Sequence, residues 1–250
     1  MYWQLKLLFT LFLGLLTTTQ TLARCRAAGM AVLPKAGIIK PNSLFIISGR
    51  ANSQEVITSL NQDYSVYLKT EGHTVKLKVI LLQKGGFSAT QAILQPEESL
   101  VNGKTYSLQI DGLDEYQEKI LYEYYTRTGE AAKISWTVKG VPDTLKPLSL
   151  DEPTFIDKSA SYLSCGSSAY ANFKITAQDQ SNLWVETELV EIATGIRQVY
   201  HIPLSDDQIA SVGHSMCGGE FGFSAKGMYK VRFKLMDICG NKSNNWSAWQ

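Results

Sequence analysis

Few residues in this chain of 250 residues could do acid–base or metal chemistry. Its three histidines are His73, His201 and His214, and none has the H-x-x-x-H spacing or the C-x-x-C neighbour typical of zinc sites. The sequence contains no G-x-S-x-G, S-x-x-K, P-loop or dinucleotide-binding motif. We therefore predict a protein that is not an enzyme and that uses no cofactor or metal.

The stretch from residue 111 to residue 125 is rich in acidic and aromatic residues. Glu115 and Glu123 could serve as the two carboxylates of a glycosidase, which need a set separation across a cleft. The pattern is more typical of a solvated strand and loop, so a carbohydrate-active hydrolase or accessory protein is the alternative hypothesis. Its aromatic side chains also form a candidate ligand surface: Tyr116, Tyr122, Tyr124 and Tyr125.

The N-terminus has the pattern of a cleaved signal peptide, residues 1–23. Lys6 precedes an apolar run of about ten residues, and small residues end the segment at Ala23. This run is shorter than the roughly 20 residues of a membrane-spanning helix. Residues 24–30 would then be a short leader. Leu22-Ala23-Arg24-Cys25 resembles a bacterial lipidation motif, although Arg24 departs from it, so membrane association is expected only if Cys25 is lipidated.

The charge of the chain argues against a nucleic-acid partner. The formal net charge is +1, and removal of residues 1–23, whose one charged residue is Lys6, makes it 0. A neutral protein has no field to attract nucleic acid or an anionic membrane. We therefore expect an extracellular protein or glycan as partner, and a secreted, periplasmic or cell-surface location.

The rest of the chain has short strand-like segments separated by turn residues. No amphipathic helix of 11–18 residues lies between them, which predicts an all-β fold rather than an α/β fold. Two prolines at residues 142 and 147 indicate a linker over residues 141–150. The predicted domains are therefore two β-sandwiches, residues 31–140 and residues 151–250. Gly85-Gly86 and Gly218-Gly219 are interpreted as turn glycines, and residues 205–216 as a loop.

Two tyrosines occupy similar places in the two halves. Leu100 lies six residues before Tyr106, Phe223 lies six residues before Tyr229, and an alternating strand follows each tyrosine. The first pattern resembles the tyrosine corner of immunoglobulin-like and fibronectin type III domains, in which the hydroxyl bonds back to the upstream chain. We predict this device at both positions.

The last 23 residues have the pattern of a closing hairpin. Apolar residues alternate with Lys230, Arg232 and Lys234, a turn follows, and Trp246 and Trp249 lie three apart. This ending resembles those of fibronectin type III and immunoglobulin-like modules of bacterial secreted or surface proteins, with Cys239 at a position where those modules often carry alanine.

The ending also resembles the Trp-Ser-x-Trp-Ser box of class I cytokine receptors, with Gln250 in place of the final serine. The resemblance implies that Trp246 and Trp249 stack between the cationic side chains of the preceding strand, Arg232 flanked by Lys230 and Lys234. Cation–π contacts of this kind stabilise by about 0.5–2 kcal/mol each. A soluble receptor-like binder is therefore a further alternative.

The four cysteines of an exported chain are candidates for disulfides. If Cys217 opens one strand of a sandwich and Cys239 closes the next, both lie at the same end, which favours a Cys217–Cys239 bridge. A Cys165–Cys217 bridge remains open. Asn241 and Asn245 begin N-x-S sequons that matter only in a eukaryotic source. Together these patterns predict a secreted or cell-surface, non-catalytic binding, adhesion or structural module.

Overall fold

The structure of this chain is a computed structural model that describes residues 29–124, 131–163, 166–216, 218–223 and 227–250. The predicted signal peptide, Cys25, Tyr125, Cys165 and Cys217 lie outside these residues. The described part consists mostly of β-strands, so the predicted all-β class is confirmed. No helix in the described ranges is long and apolar enough to cross a membrane.

The first half forms a sheet of eight strands that folds over its own core. Its order is β1-β3-β6-β5-β4-β7-β10-β2, with β2 parallel to β10. The strand β5 is shared, because its first residues pair with β4 and the rest pair with β6. The strands of the first half are β1 (Met30–Leu33), β2 (Gly37–Ile39), β3 (Phe45–Arg50), β4 (Val66–Thr70), β5 (His73–Lys84), β6 (Ala89–Pro96), β7 (Thr105–Ile110), β8 (Tyr122–Tyr124), β9 (Ala131–Lys133) and β10 (Ser135–Val138). Of these, β8 and β9 lie outside the eight-stranded sheet and pair with each other.

Short helical segments connect some of these strands. The helix α1 (Gln54–Thr58) follows a 3-10 turn at Ala51–Ser53, and the helix α2 (Glu115–Glu118) precedes one at Lys119–Leu121. Asp114 caps α2, because its carboxylate accepts a bond from the Gln117 amide at 2.7 Å. This helix lies within residues 111–125, which the sequence pattern indicated to be a solvated strand and loop.

The second half contains two larger sheets, ordered β12-β13-β17-β18 and β16-β15-β19, and a small one that pairs β11 with β14. Its strands are β11 (Leu148–Ser149), β12 (Thr154–Leu163), β13 (Gly166–Lys174), β14 (Ala177–Gln178), β15 (Leu183–Glu191), β16 (Arg197–Pro203), β17 (Ile209–Ser215), β18 (Gly218–Gly219) and β19 (Tyr229–Asp237).

The interpretation of residues 205–216 as a loop is wrong, because they contain β17. This strand pairs with β13 from Ile209 to His214. Ala210, Val212 and His214 are buried at alternate positions, which is the period of a strand with one face against a core. The small and polar residues between them obscured that period in the sequence.

The tyrosine corner of the first half is present. Tyr106 is fully buried, and its hydroxyl accepts a hydrogen bond from the amide of Val101 at 3.1 Å. In the second half, Tyr229 donates to Glu191 Oε1 on β15 at 3.4 Å, a contact between strands. Residues 224–226, where a second corner would close, lie outside the described residues, so a corner at Tyr229 stays a prediction.

The two halves share their cores. Trp184, Met236 and Ile238 of the second half belong to the apolar cluster of the first half, and Ala89 of the first half belongs to the cluster of the second. The predicted linker is also held by the first half, since Asn42 and Asp143 exchange hydrogen bonds at 2.7 and 2.9 Å. The halves therefore pack directly on one another.

Glycines allow the backbones of the two halves to approach closely. The Gly86 amide donates to Glu220 O at 2.8 Å, and the Gly219 amide donates to Phe87 O at 2.7 Å. A methyl group at Gly86 would lie 2.5 Å from the Gly222 nitrogen and would collide with the Gln198 side chain. The interpretation of these glycines as turn residues therefore misses their main role, which is to let two backbones approach without an intervening Cβ.

Candidate functional site

A cleft at the junction of the two halves is the strongest candidate for a binding site. It has a volume of about 570 Å³, within the range of about 300–1,000 Å³ usual for small-molecule sites. The first half contributes the end of β1 and the turn after it, together with Arg50. The second half contributes β13, the start of β15, the end of β16 and the turn that follows it.

An ion pair crosses the junction at this cleft. Arg50 Nη2 lies 2.7 Å from Glu220 Oε1, and the Glu220 side chain is only 17% exposed. Burial, and then the charge of Glu220, raise the pKa of the nearby Tyr170 above its usual value. The Tyr170 hydroxyl is protonated at neutral pH, as tyrosine hydroxyls ordinarily are, and can both donate and accept hydrogen bonds.

The two serine hydroxyls in the cleft lining are engaged in local structure. Ser205 Oγ accepts a bond from the Ile209 amide at 2.9 Å, and Ser211 Oγ donates to Asn172 Oδ1 at 2.8 Å. Neither contact is the serine–base bond that activates a nucleophile. The arrangement is suited to holding a ligand by hydrogen bonds and packing.

The predicted ligand surface belongs to elements other than those named in the lining of this cleft. Tyr116 lies in α2, and Tyr122 and Tyr124 lie in β8, which pairs with β9. Tyr125 is outside the described residues, as are the side chains of the other three tyrosines and of Glu123. The tyrosine surface and the carboxylate pair of the hydrolase hypothesis therefore stay predictions.

The aromatic and cationic side chains of the closing segment stack on one another. The Arg232 guanidinium carbon lies 4.7 Å from the Trp246 ring centroid and 4.6 Å from that of Trp249, and Lys230 Nζ lies 4.5 Å from the latter. Lys234, the third cation of the predicted ladder, stands over neither ring and instead pairs in register with Glu186.

Arg232 is also tied to the adjacent strand. Its Nη2 and Nε lie 2.6 and 2.7 Å from Glu188 Oε2, and the Glu188 side chain is only 5% exposed. Arg197 bonds to the other oxygen of the same carboxylate. The chain end is fixed beside this cluster, because Val231 and Gln250 exchange backbone hydrogen bonds. These contacts give the ladder a structural role in the second half.

Cys239 is a free cysteine, so the predicted Cys217–Cys239 bridge is not formed. Its neighbour Ile238 accepts a bond from the Leu44 amide, whereas Gly218, next to Cys217, lies against Arg50. Leu44 and Arg50 are at opposite ends of β3, about 20 Å apart at roughly 3.3 Å per residue. A disulfide needs Cα atoms closer than about 7 Å. The Cys165–Cys217 alternative lies outside the described residues.

Three aspartates that are distant in sequence meet beside the linker. Carboxylate oxygens of Asp143, Asp179 and Asp237 lie within 4.8 Å of one another and could hold a cation. Each also has local donors: for example, Asp237 accepts bonds from the amides of Cys239 and Asn241 at 2.8 Å. Burial is the main cause that raises the pKa of Asp237. Only folding brings these three carboxylates together, because they are far apart in the sequence.

No protein family and no curated protein sequence matches this chain. Among solved structures, the chain is similar to a type I pullulanase from Bacillus subtilis in complex with maltose. The match covers 89% of this chain and 24% of the pullulanase chain, with 11% sequence identity and a TM-score of 0.26. The chain is also similar to a β-glucuronidase from Ruminococcus gnavus. That match covers 82% of this chain and 36% of the glucuronidase chain, with 9% sequence identity and a TM-score of 0.19. The chain thus spans about a quarter to a third of these proteins, and the likeness is too low to argue from.

Proposed function

We propose that this chain is a secreted or cell-surface binding module without catalytic activity. The observation that carries the proposal is the cleft whose walls come from both halves. A site of this kind has a fixed shape only if the halves do not move relative to one another. The shared cores and the glycine contacts at the junction supply that rigidity.

The proposal also depends on export, which the N-terminal pattern predicts. The mature chain would then meet extracellular protein or glycan. A rigid pair of β-domains with a preformed cleft binds without the entropic cost of ordering a loop. The two serine hydroxyls in the cleft already serve as turn and strand contacts, which favours recognition over nucleophilic chemistry.

Binding of the mature chain, residues 24–250, to purified cell-wall and extracellular-matrix material tests the proposal. Asn182, an exposed residue in the cleft lining, offers a blocking variant, Asn182→Trp. Gln62→Trp is the matched control, because Gln62 is an exposed turn residue of the first half that does not line the cleft. We expect saturable binding that Asn182→Trp abolishes and Gln62→Trp preserves. Absence of saturable binding would refute the proposal.

A further inference from the structure

We propose that the cleft between the two halves binds a neutral, hydroxyl-rich ligand, namely a short oligosaccharide. This inference rests on the proposed binding function and identifies the class of ligand at the same site. It follows from the balance of charges in the cleft, from the apolar surfaces beside them and from the volume.

The charges in the cleft lining cancel. Lys35 and Arg50 contribute two positive charges, and Asp206 and Glu220 contribute two negative charges. Arg50 and Glu220 are already paired at 2.7 Å, with the carboxylate mostly buried. A charged ligand would have to compete with this pair, and separating a mostly buried ion pair is costly. A neutral ligand can instead accept hydrogen bonds from the other N–H groups of Arg50. It can also donate hydrogen bonds to the carboxylate oxygens of Asp206 and Glu220 that are not in the ion pair.

Hydroxyl groups match such a lining because each one donates and accepts. Asp206 is exposed at the turn after β16 and carries carboxylate oxygens that accept hydrogen bonds, whereas Lys35 carries an ammonium that donates them. The protonated Tyr170 hydroxyl can do either. Hydrogen bonds to charged groups are roughly twice as strong as those between neutral groups.

Apolar surface lies directly beside these polar groups. The half-buried side chains of Tyr170, Leu183 and Leu204 and the exposed ring of Pro203 form part of the same lining. A sugar ring has C–H groups on its faces and hydroxyls around its edge, so it can pack against an aromatic or aliphatic wall while its edge reaches the polar groups. An ion lacks the apolar face, and a purely apolar ligand would cover the Lys35 and Asp206 charges without giving them hydrogen-bond partners.

The test is binding of the intact mature chain to an immobilised array of neutral oligosaccharides, anionic oligosaccharides and peptides, followed by calorimetry with the best neutral probe. We expect neutral oligosaccharides to bind, with an affinity that changes less than about twofold between 50 and 500 mM salt. The variant Asp206→Asn should weaken binding about tenfold, since it removes a charged acceptor. Its matched control is Asp207→Asn, an exposed neighbour outside the lining, which should bind as the unaltered chain does.

Two kinds of result would overturn the inference while the proposed binding function stands. One is a preference for anionic oligosaccharides with a steep salt dependence. The other is peptide or protein binding that Asn182→Trp blocks. Equal binding by Asp206→Asn and Asp207→Asn would also overturn it. Failure of every probe, together with failure to bind cell-wall or matrix material, would instead reject the proposed function itself.

Discussion

Protonation of His201 should weaken the junction between the two halves. This histidine lies on β16, its side chain is fully buried, and its backbone exchanges hydrogen bonds with the Gln91 amide at 2.8 and 3.2 Å. Its Nδ1 lies 2.7 Å from Gln83 Oε1, an acceptor, so Nδ1 carries the proton. Nε2 has no hydrogen-bond partner, and the closest charge is Glu186 Oε2 at 4.0 Å, itself paired with Lys242.

The size of the effect follows from the shift of the His201 pKa. Burial, as the largest cause, lowers it from 6.5 to about 4, although Glu186 acts in the opposite direction. The buried His201 imidazole of the folded state binds a proton less readily than the exposed imidazole of the unfolded chain. The stability that the neutral imidazole contributes is therefore present above pH 6.5 and is lost as the pH falls towards 4. At pH 5 this linkage corresponds to a loss of about 2 kcal/mol in the free energy of unfolding.

Urea unfolding of the mature chain at pH 7.5 and pH 5.0 measures this loss. The variant His201→Asn places an amide donor where Nδ1 meets Gln83 and removes the titrating group. We expect the unaltered chain to lose about 2 kcal/mol more than this variant between the two pH values. The control is His73→Asn, because His73 is 46% exposed beside Glu98 in the folded state. This control should lose as much stability as the unaltered chain.

Equal losses in the unaltered chain and in His201→Asn would refute the reasoning. Such a result would mean that other groups, and not His201, account for the acid sensitivity. A variant that is much less stable at pH 7.5 can still be compared, since the measured quantity is the difference between the two pH values for each protein.

Three further predictions concern packing and the cysteine. Gly86→Ala should destabilise the chain by about 1–3 kcal/mol, because the added methyl would collide with atoms at the junction. The control Gly29→Ala should leave stability unchanged, because no atom lies within 4 Å of the added methyl. Thermal unfolding measures both variants. Arg232→Gln should lower the free energy of unfolding by about 2 kcal/mol or more, because it removes the ring contacts and a mostly buried ion pair. Lys234 stacks on neither ring, so Lys234→Gln should lower it by under about 1 kcal/mol. Urea unfolding measures both. Cys239, whose pKa burial raises to about 12, should react with iodoacetamide at pH 8 only after unfolding, as read by mass spectrometry.

The sequence predicted the features that depend on neighbours along the chain. Alternation of apolar and polar residues identified β19, and the six-residue step from Leu100 located the corner at Tyr106. The stacking of Arg232 on two tryptophans was implied by the resemblance of the last residues to the Trp-Ser-x-Trp-Ser box. Each of these features needs only a period or a short chain reversal.

The sequence alone established an all-β chain, a short apolar N-terminal run and a near-neutral charge, because composition and local periodicity are properties of the chain itself. Tertiary structure decided the rest. Only packing revealed that Gly86 lies against Gly222 and that His201 is buried between Gln83 and Gln91. Packing also places Cys239 far from Gly218, the residue that lies against Arg50. The contacts of Gly86 and His201 join residues that are separated by about a hundred residues or more, and no local pattern encodes which distant surfaces meet. The cleft exists for the same reason, since neither half alone supplies both of its walls.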